Sequence, residues 1–299
     1  MSMAAPEFLR DMTFAYGEAA TLSPLVRRVI ARNPSAFTFH GTGTYIVGRG
    51  TVAVIDPGPD EPEHIDALLA ALAGETVSHI LVTHTHIDHS PGAARFKAAT
   101  GAKTYAFGGH PRHPDGTVVE QGGDLDFTPD EIIGERDAVT GPGWTLQALH
   151  TPGHISNHLC FALPEEQALF SGDHVMGWST SVISPPDGNM ADYFASLRKL
   201  LPRDDRLYYP THGPAIPAPL PHVRSFIAHR QAREEQILAC VRDGLTTVPA
   251  MVARMYEAVP RHLHPAAARS VQAHLAHMVG DGRLALVDGE GLAAVYQAP

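Results

Sequence analysis

The sequence predicts an α/β fold, with layered sheets covered by helices and a small winged-helix-like module at the end. Three observations lead there. Short apolar runs closed by Gly, Pro or Asp mingle with amphipathic helical segments through about residue 220. Several of those runs lie close enough together to pair as hairpins. Beyond residue 220 the pattern becomes three helices and a closing hairpin, the element order of a winged helix. The Pro-rich connector "THGPAIPAPLPH" places the division between residues 1–220 and 221–299.

In chain order, "FTFHGTGTYIVG" and "GTVAVIDPGPD" read as two strands joined at a Gly-Arg-Gly turn. "EHIDALLAALAG" carries apolar residues at Ile65, Leu68, Leu69 and Leu72 and closes on Gly74, which predicts a helix. The strand "SHILVT" follows. Ser90 then reads as an N-cap and Pro91 as a first-turn proline for the helix "PGAARFKAAT", stopped by Gly101. "WTLQALHTPGH", "HLCFALP" and "ALFSGD" predict three further strands, "MADYFASLRKLL" a helix, and "RLYYPTHG" another strand. The tail helices are "VRSFIAHRQAREEQILACVRDG", "VPAMVARMYEAV" and "PAAARSVQAHLAHMVGDG", and "RLALV" pairs with "LAAVY" across Asp288-Gly289-Glu290-Gly291.

Composition excludes several classes. A hydrophobic share of 44% with 18% charged residues supports a sizeable core. The net charge of -10 argues against a protein that coats nucleic acid or anionic membrane. Two cysteines, Cys160 and Cys240, sit inside apolar runs and read as buried thiols of a reducing cytoplasm. "MSMAAPEFLRDMTFAYGEAA" lacks a continuous apolar leader, and no run approaches the ~20 apolar residues of a membrane span. A cytoplasmic protein without a membrane partner is expected. Histidine is the outlier, at 19 residues against 22 Lys plus Arg.

The chemistry gathers in "HTHIDH". His84 and His86 alternate at a strand end and point the same way, while Asp88 and His89 occupy the following turn. Burying that many imidazoles without partners is costly, so a bound group is expected. Four N or O donors from one short loop exceed what a single tetrahedral ion takes from neighbouring residues, and two ions fit better. His154 in "HTPGH", Asp173 in "SGD" and His212 in "PTHG" each follow another apolar strand. Alone, each is more often a turn residue than a ligand. Together they complete a donor set for two ions. Imidazole and carboxylate suit Zn²⁺, the expected metal, and tolerate Mn²⁺ or Fe²⁺.

"HTHIDH", "TPGH", "SGD" and "PTHG", in this order, resemble the metallo-β-lactamase superfamily, as does "VIDPG". The resemblance spans roughly residues 37–217. It implies an αββα metallo-β-lactamase sandwich with a dinuclear site along one sheet edge. It further implies His84, His86 and His154 at the first metal, and Asp88, His89 and His212 at the second. Asp173 would bridge both, and Asp56 would steady the ligand loop. Asp88 and Asp173 are the catalytic carboxylates on this reading. With Asp88 present and neither cysteine in a ligand motif, the set is closer to glyoxalase II and nuclease-like branches than to antibiotic-hydrolysing lactamases. "YFASLRKLL", "HGPAI", "HRQAREEQIL" and the tail resemble the β-lactamase-like protein 2 family, whose mitochondrial members act as endoribonucleases on single strands. The stretch "WSTSVISPPDGN" departs from those relatives.

The expected function is metal-dependent hydrolysis of an ester-type bond by a metal-bridged hydroxide, with a phosphodiester of single-stranded RNA as the first substrate. A thioesterase or lactonase of glyoxalase II type is the alternative within enzymes. A nucleic-acid-binding regulator with a structural metal domain is the alternative outside them. The tail weakens nucleic-acid binding, since residues 230–299 hold seven Arg and seven Asp or Glu. Arg269, Ser270 and Gln272 near the start of the third tail helix are its candidate backbone contacts, while His262, His264, His274 and His277 read as packing residues. The partners expected are a small ester or thioester, or single-stranded RNA, and a homodimer is left open.

Overall fold

A computed structural model describes residues 6–112 and 122–299, so the first five residues of the N-terminal segment lie outside it. The first sheet holds β1 (Ala20–Thr21), β2 (Val26–Ile30), β3 (Gly43–Arg49), β4 (Thr51–Ile55), β5 (Thr76–Leu81), β6 (Lys103–Ala106) and β7 (Glu131–Ile132), side by side in chain order. β1 to β4 are antiparallel. From β4 onward the pairing is parallel, because α1 (Pro62–Ala71) and α2 (Gly92–Thr100) serve as crossovers.

The second sheet runs β13-β12-β11-β10-β9-β8, with β8 (Ala138–Gly141), β9 (Trp144–His150), β10 (Leu159–Leu163), β11 (Ala168–Gly172), β12 (Leu207–Pro210) and β13 (Ile216–Pro217). Its single parallel pair, β11 with β12, is bridged by α3 (Met190–Leu200). Asn189 caps that helix by accepting from the amides of Ala191 and Asp192.

Strand alternation sorts the apolar side chains into layers. Tyr45 and Val47 of β3, Ala53 and Ile55 of β4, Phe161 of β10 and Phe170 of β11 share the core between the sheets. Ile46, Val52 and Val54 face the other way, against Ile65, Leu68 and Phe96 of α1 and α2. On the far side, Cys160, Leu169 and Tyr208 meet Tyr193, Phe194 and Leu197 of α3 and Val223 and Phe226 of α4 (Pro219–Arg242). The layers are therefore helix, sheet, sheet, helix, the sandwich that the resemblance implied.

Further along α4, Ile237, Cys240 and Val241 join a separate core with α5 (Val248–Met255), α6 (His264–Gly280) and the hairpin β14 (Ala285–Asp288) and β15 (Val295–Gln297). Among the described residues no helix is long and apolar enough to cross a membrane.

Three local expectations are corrected. The strand predicted from Phe37 begins at Gly43, because Phe39 adopts φ 57° and turns the chain. Ser90 does not cap α2; its hydroxyl donates to Asp124 Oδ2 at 2.6 Å, and Pro91 stands at the cap position. The connector is folded: Ile216–Pro217 adds an edge strand, and α4 starts at Pro219.

Candidate metal centre

The site lies where strands end. Asp56 follows β4, the "HTHIDH" loop follows β5, His154 follows β9, Asp173 follows β11 and His212 follows β12. β4, β5, β11 and β12 belong to parallel pairs and β9 is antiparallel to both neighbours, and beyond all five carboxyl ends polar groups meet without competing ladder bonds.

Asp56 organises the centre. It is fully buried at φ 50°, and its Oδ1 accepts from the Thr83 amide at 2.7 Å. Its Oδ2 accepts from the Thr83 and Thr211 hydroxyls and from His89 Nδ1, at 2.8, 3.1 and 2.9 Å. With the Thr83 proton directed at Asp56, Thr83 Oγ1 accepts from His84 Nδ1 at 3.0 Å, which leaves the His84 Nε2 lone pair facing inward. The Val182 carbonyl sets the same tautomer on His154, and the Gly41 carbonyl on His212. His84, His89, His154 and His212 are thus each aimed by a partner behind the ring.

All seven predicted residues converge. His86 Nδ1 lies 2.8 Å from His84 Nε2 and 3.1 Å from His154 Nε2. Asp88 Oδ2 is 3.1 Å from His212 Nε2 and 3.5 Å from His89 Nε2. Asp173 reaches both groups: Oδ2 is 3.7 Å from His89 Nε2 and 3.8 Å from His154 Nε2, and Oδ1 is 3.4 Å from His212 Nε2. Three overlapping triads result, in each of which the potential donor atoms lie within 4.8 Å of one another. They are His84, His86 and His154; His84, His89 and Asp173; and Asp88, His89 and His212.

The donor set fits divalent cations. His89 Nε2 and Asp173 Oδ1 are buried without a hydrogen-bond partner, an expensive arrangement unless something binds them. The three nitrogens at His84, His86 and His154 share at most one proton, so lone pairs face one another. Burial, reinforced by the neighbouring imidazoles, pushes His84 well below the usual histidine range. Asp88 and Asp173 are buried, yet His89 and His212 hold both far below the usual carboxylate range. Burial acts against His212, but Asp173 and Asp88 raise it to about 10. Two ionised carboxylates that draw protons onto buried imidazoles will draw a cation more strongly.

Other residues of the centre lie outside the short motifs that mark the seven. His158 Nε2 accepts from the Asp173 amide at 3.2 Å, while its Nδ1 donates to Thr151 Oγ1 at 2.8 Å. The Phe39 ring stacks on Trp178 at 4.9 Å, and Trp178 packs over Gly213 beside His212. The histidine excess hinted at His158, but nothing separated it from a packing histidine.

Comparison with known proteins extends these observations. The profile of the metallo-beta-lactamase superfamily matches residues 38–212, and that of the beta-lactamase associated winged helix domain matches residues 247–290. A beta-lactamase-like protein 2 homolog of Drosophila melanogaster is 33% identical over 277 residues, 88% of this chain and 90% of its own length. An atrochrysone carboxyl ACP thioesterase of Claviceps purpurea is 33% identical over 245 residues, 79% of this chain and 73% of its own. Among solved structures, a beta-lactamase domain protein from Burkholderia ambifaria superposes with a TM-score of 0.79 at 20% identity, covering 97% of this chain and 96% of that one. That likeness is one of fold.

Proposed function

The chain belongs to the metallo-beta-lactamase superfamily of hydrolases, and from that premise we propose that it is a dinuclear metallohydrolase of carboxylic thioesters bearing an apolar acyl group. His84, His86 and His154 would hold one cation, Asp88, His89 and His212 the other, with Asp173 shared; zinc is the ion we expect. A bound pair of such ions supplies Lewis acidity and acidifies water toward neutral pH.

The chain's own groups do the rest. Asp56, Val182 and Gly41 keep the ring nitrogens aimed inward. Asp88, whose side chain is the more open of the two carboxylates, would hold the second cation through Oδ2 and orient the attacking water beside it. A thiol ionises near pH 8.5, so the leaving sulfur departs as thiolate without a dedicated acid. We further propose that residues 1–220 form the catalytic domain and 221–299 the helical one, joined through α4.

The observation that carries the substrate is the apolar rim. Ile87, between His86 and Asp88, is 56% exposed, and Val182, whose carbonyl orients His154, is 45% exposed. The stacked Phe39 and Trp178 stand beside His212. An RNA phosphodiester calls for basic side chains at such a rim. Arg28, near the Gly213 turn, is buried and donates to the Gly213 carbonyl.

Apolar acyl thioesters, a lactone, nitrocefin and single-stranded RNA, each offered to zinc-loaded protein, test the reading. Thioester turnover should dominate. Trp178→Ala should raise KM at least tenfold for a long acyl thioester and leave acetyl thioester turnover within about twofold. RNA cleavage without thioester cleavage defeats the proposal.

A further inference from the structure

Arg230 is an unusual residue for its place. It lies in "HRQARE" on α4, is 4% exposed, and its Nε has no hydrogen-bond partner. Among the described residues no carboxylate pairs with it, and burial works against its charge. A buried cation without a counter-ion weakens a fold, and an apolar side chain of similar volume would generally be no worse there.

What Arg230 does touch leads to the site. Its Nη2 donates to the Ser181 carbonyl, and the guanidinium lies over the Tyr193 ring, 5.4 Å from the centroid. The Ser181 hydroxyl in turn donates to the Asp173 carbonyl at 2.6 Å and the His174 carbonyl at 2.8 Å. Tyr193 Oη donates to the same His174 carbonyl at 2.9 Å. The backbone of Asp173 is therefore held from behind by a chain that starts on α4.

The same helix reaches the other way one turn later. Glu234 accepts from His274 and His277 of α6 and from Arg283, at 3.2, 2.8 and 2.7 Å. α4 is gripped by the C-terminal core on one side and grips the Asp173 loop on the other.

We infer that Arg230 is a positioning residue, through which the C-terminal helical part fixes the carboxylate of Asp173 at the shared position of the metal site. This rests on the proposed placement of Asp173 between the two cations. A 0.5–1 Å shift of that carboxylate is enough to weaken a metal site.

The test titrates full-length apo-protein with Co²⁺ and follows visible absorption, with circular dichroism and melting temperature in parallel. Arg230→Met should stay folded, bind the second equivalent at least tenfold more weakly with an altered spectrum, and lose kcat with KM little changed. Arg230→Lys keeps a donor for the Ser181 carbonyl and should recover part of both. A residue with only a packing role would shift melting and leave the spectrum alone. Should Arg230→Met fail to fold, Ser181→Ala decides, since it removes the hydroxyl that links the Asp173 and His174 carbonyls to the segment Arg230 holds. An unchanged titration in a folded Arg230→Met, or in Ser181→Ala where that variant decides, overturns the inference. Wild-type protein that takes up no Co²⁺ overturns the parent reading with it.

Discussion

Asp56 shows how one buried carboxylate governs a centre without joining it. Two Thr hydroxyls, one amide and one imidazole converge on it, and its left-handed backbone conformation is one that Asn also tolerates. Asp56→Asn should therefore keep the turn while setting an amide against donors. Zn²⁺ affinity should fall about 10–100-fold, measured by titration of the apo-protein. Affinity within twofold of wild type would remove Asp56 from this role. At this scale the convergence was legible in the sequence, because the candidate donors follow strand ends in short motifs. Ser181 and Arg230 were not, since their contacts join residues far apart in the chain and neither residue type signals such a role.

At the scale of elements, the end of β11 is packed closely against the ring behind Asp173. Gly172 sits at φ 53°, and a Cβ there would stand 2.5 Å from His158 Nε2 and 3.2 Å from Thr83 Cβ. Gly172→Ala should lower unfolding free energy by about 1–3 kcal/mol through backbone strain and displacement of the ring, read by urea denaturation. Turnover should fall with it, because His158 holds the amide of Asp173. Strands and helices followed periodicity closely, whereas ends and connectors did not. Ser90 looked like a cap because its partner Asp124 belongs to another loop. The Pro-rich connector hid an edge strand because a two-residue β-segment has no period to detect.

At the scale of the whole molecule, acid should act through groups other than those of the candidate metal centre. Glu234 faces His274, His277 and Arg283, with Asp281 paired to Arg283 alongside. Burial works against its charge, but these partners lower it from the ordinary value near 4.5 to about 2. A depressed carboxylate stabilises the folded state fully above the ordinary value, and that contribution disappears as pH falls toward 2. The difference in melting temperature between wild type and Glu234→Gln should shrink steadily across that window; a constant difference would contradict the assignment.

Chelation should act on the sandwich itself. A ligand present at a hundredfold over its dissociation constant contributes about 2.7 kcal/mol, so EDTA should lower the melting temperature by several degrees. An unchanged melt would mean that the ions add nothing to folding.

Every one of the three triads draws donors from loops of both sheets. A nascent chain that has made only the first sheet owns the crowded histidine loop but no complete nest for an ion. The first triad is complete only once His154 has been delivered by the second sheet, and the third only once β12 has brought His212. Premature release, or cleavage between the two sheets, would leave a fragment rich in imidazole in which none of the three triads is complete.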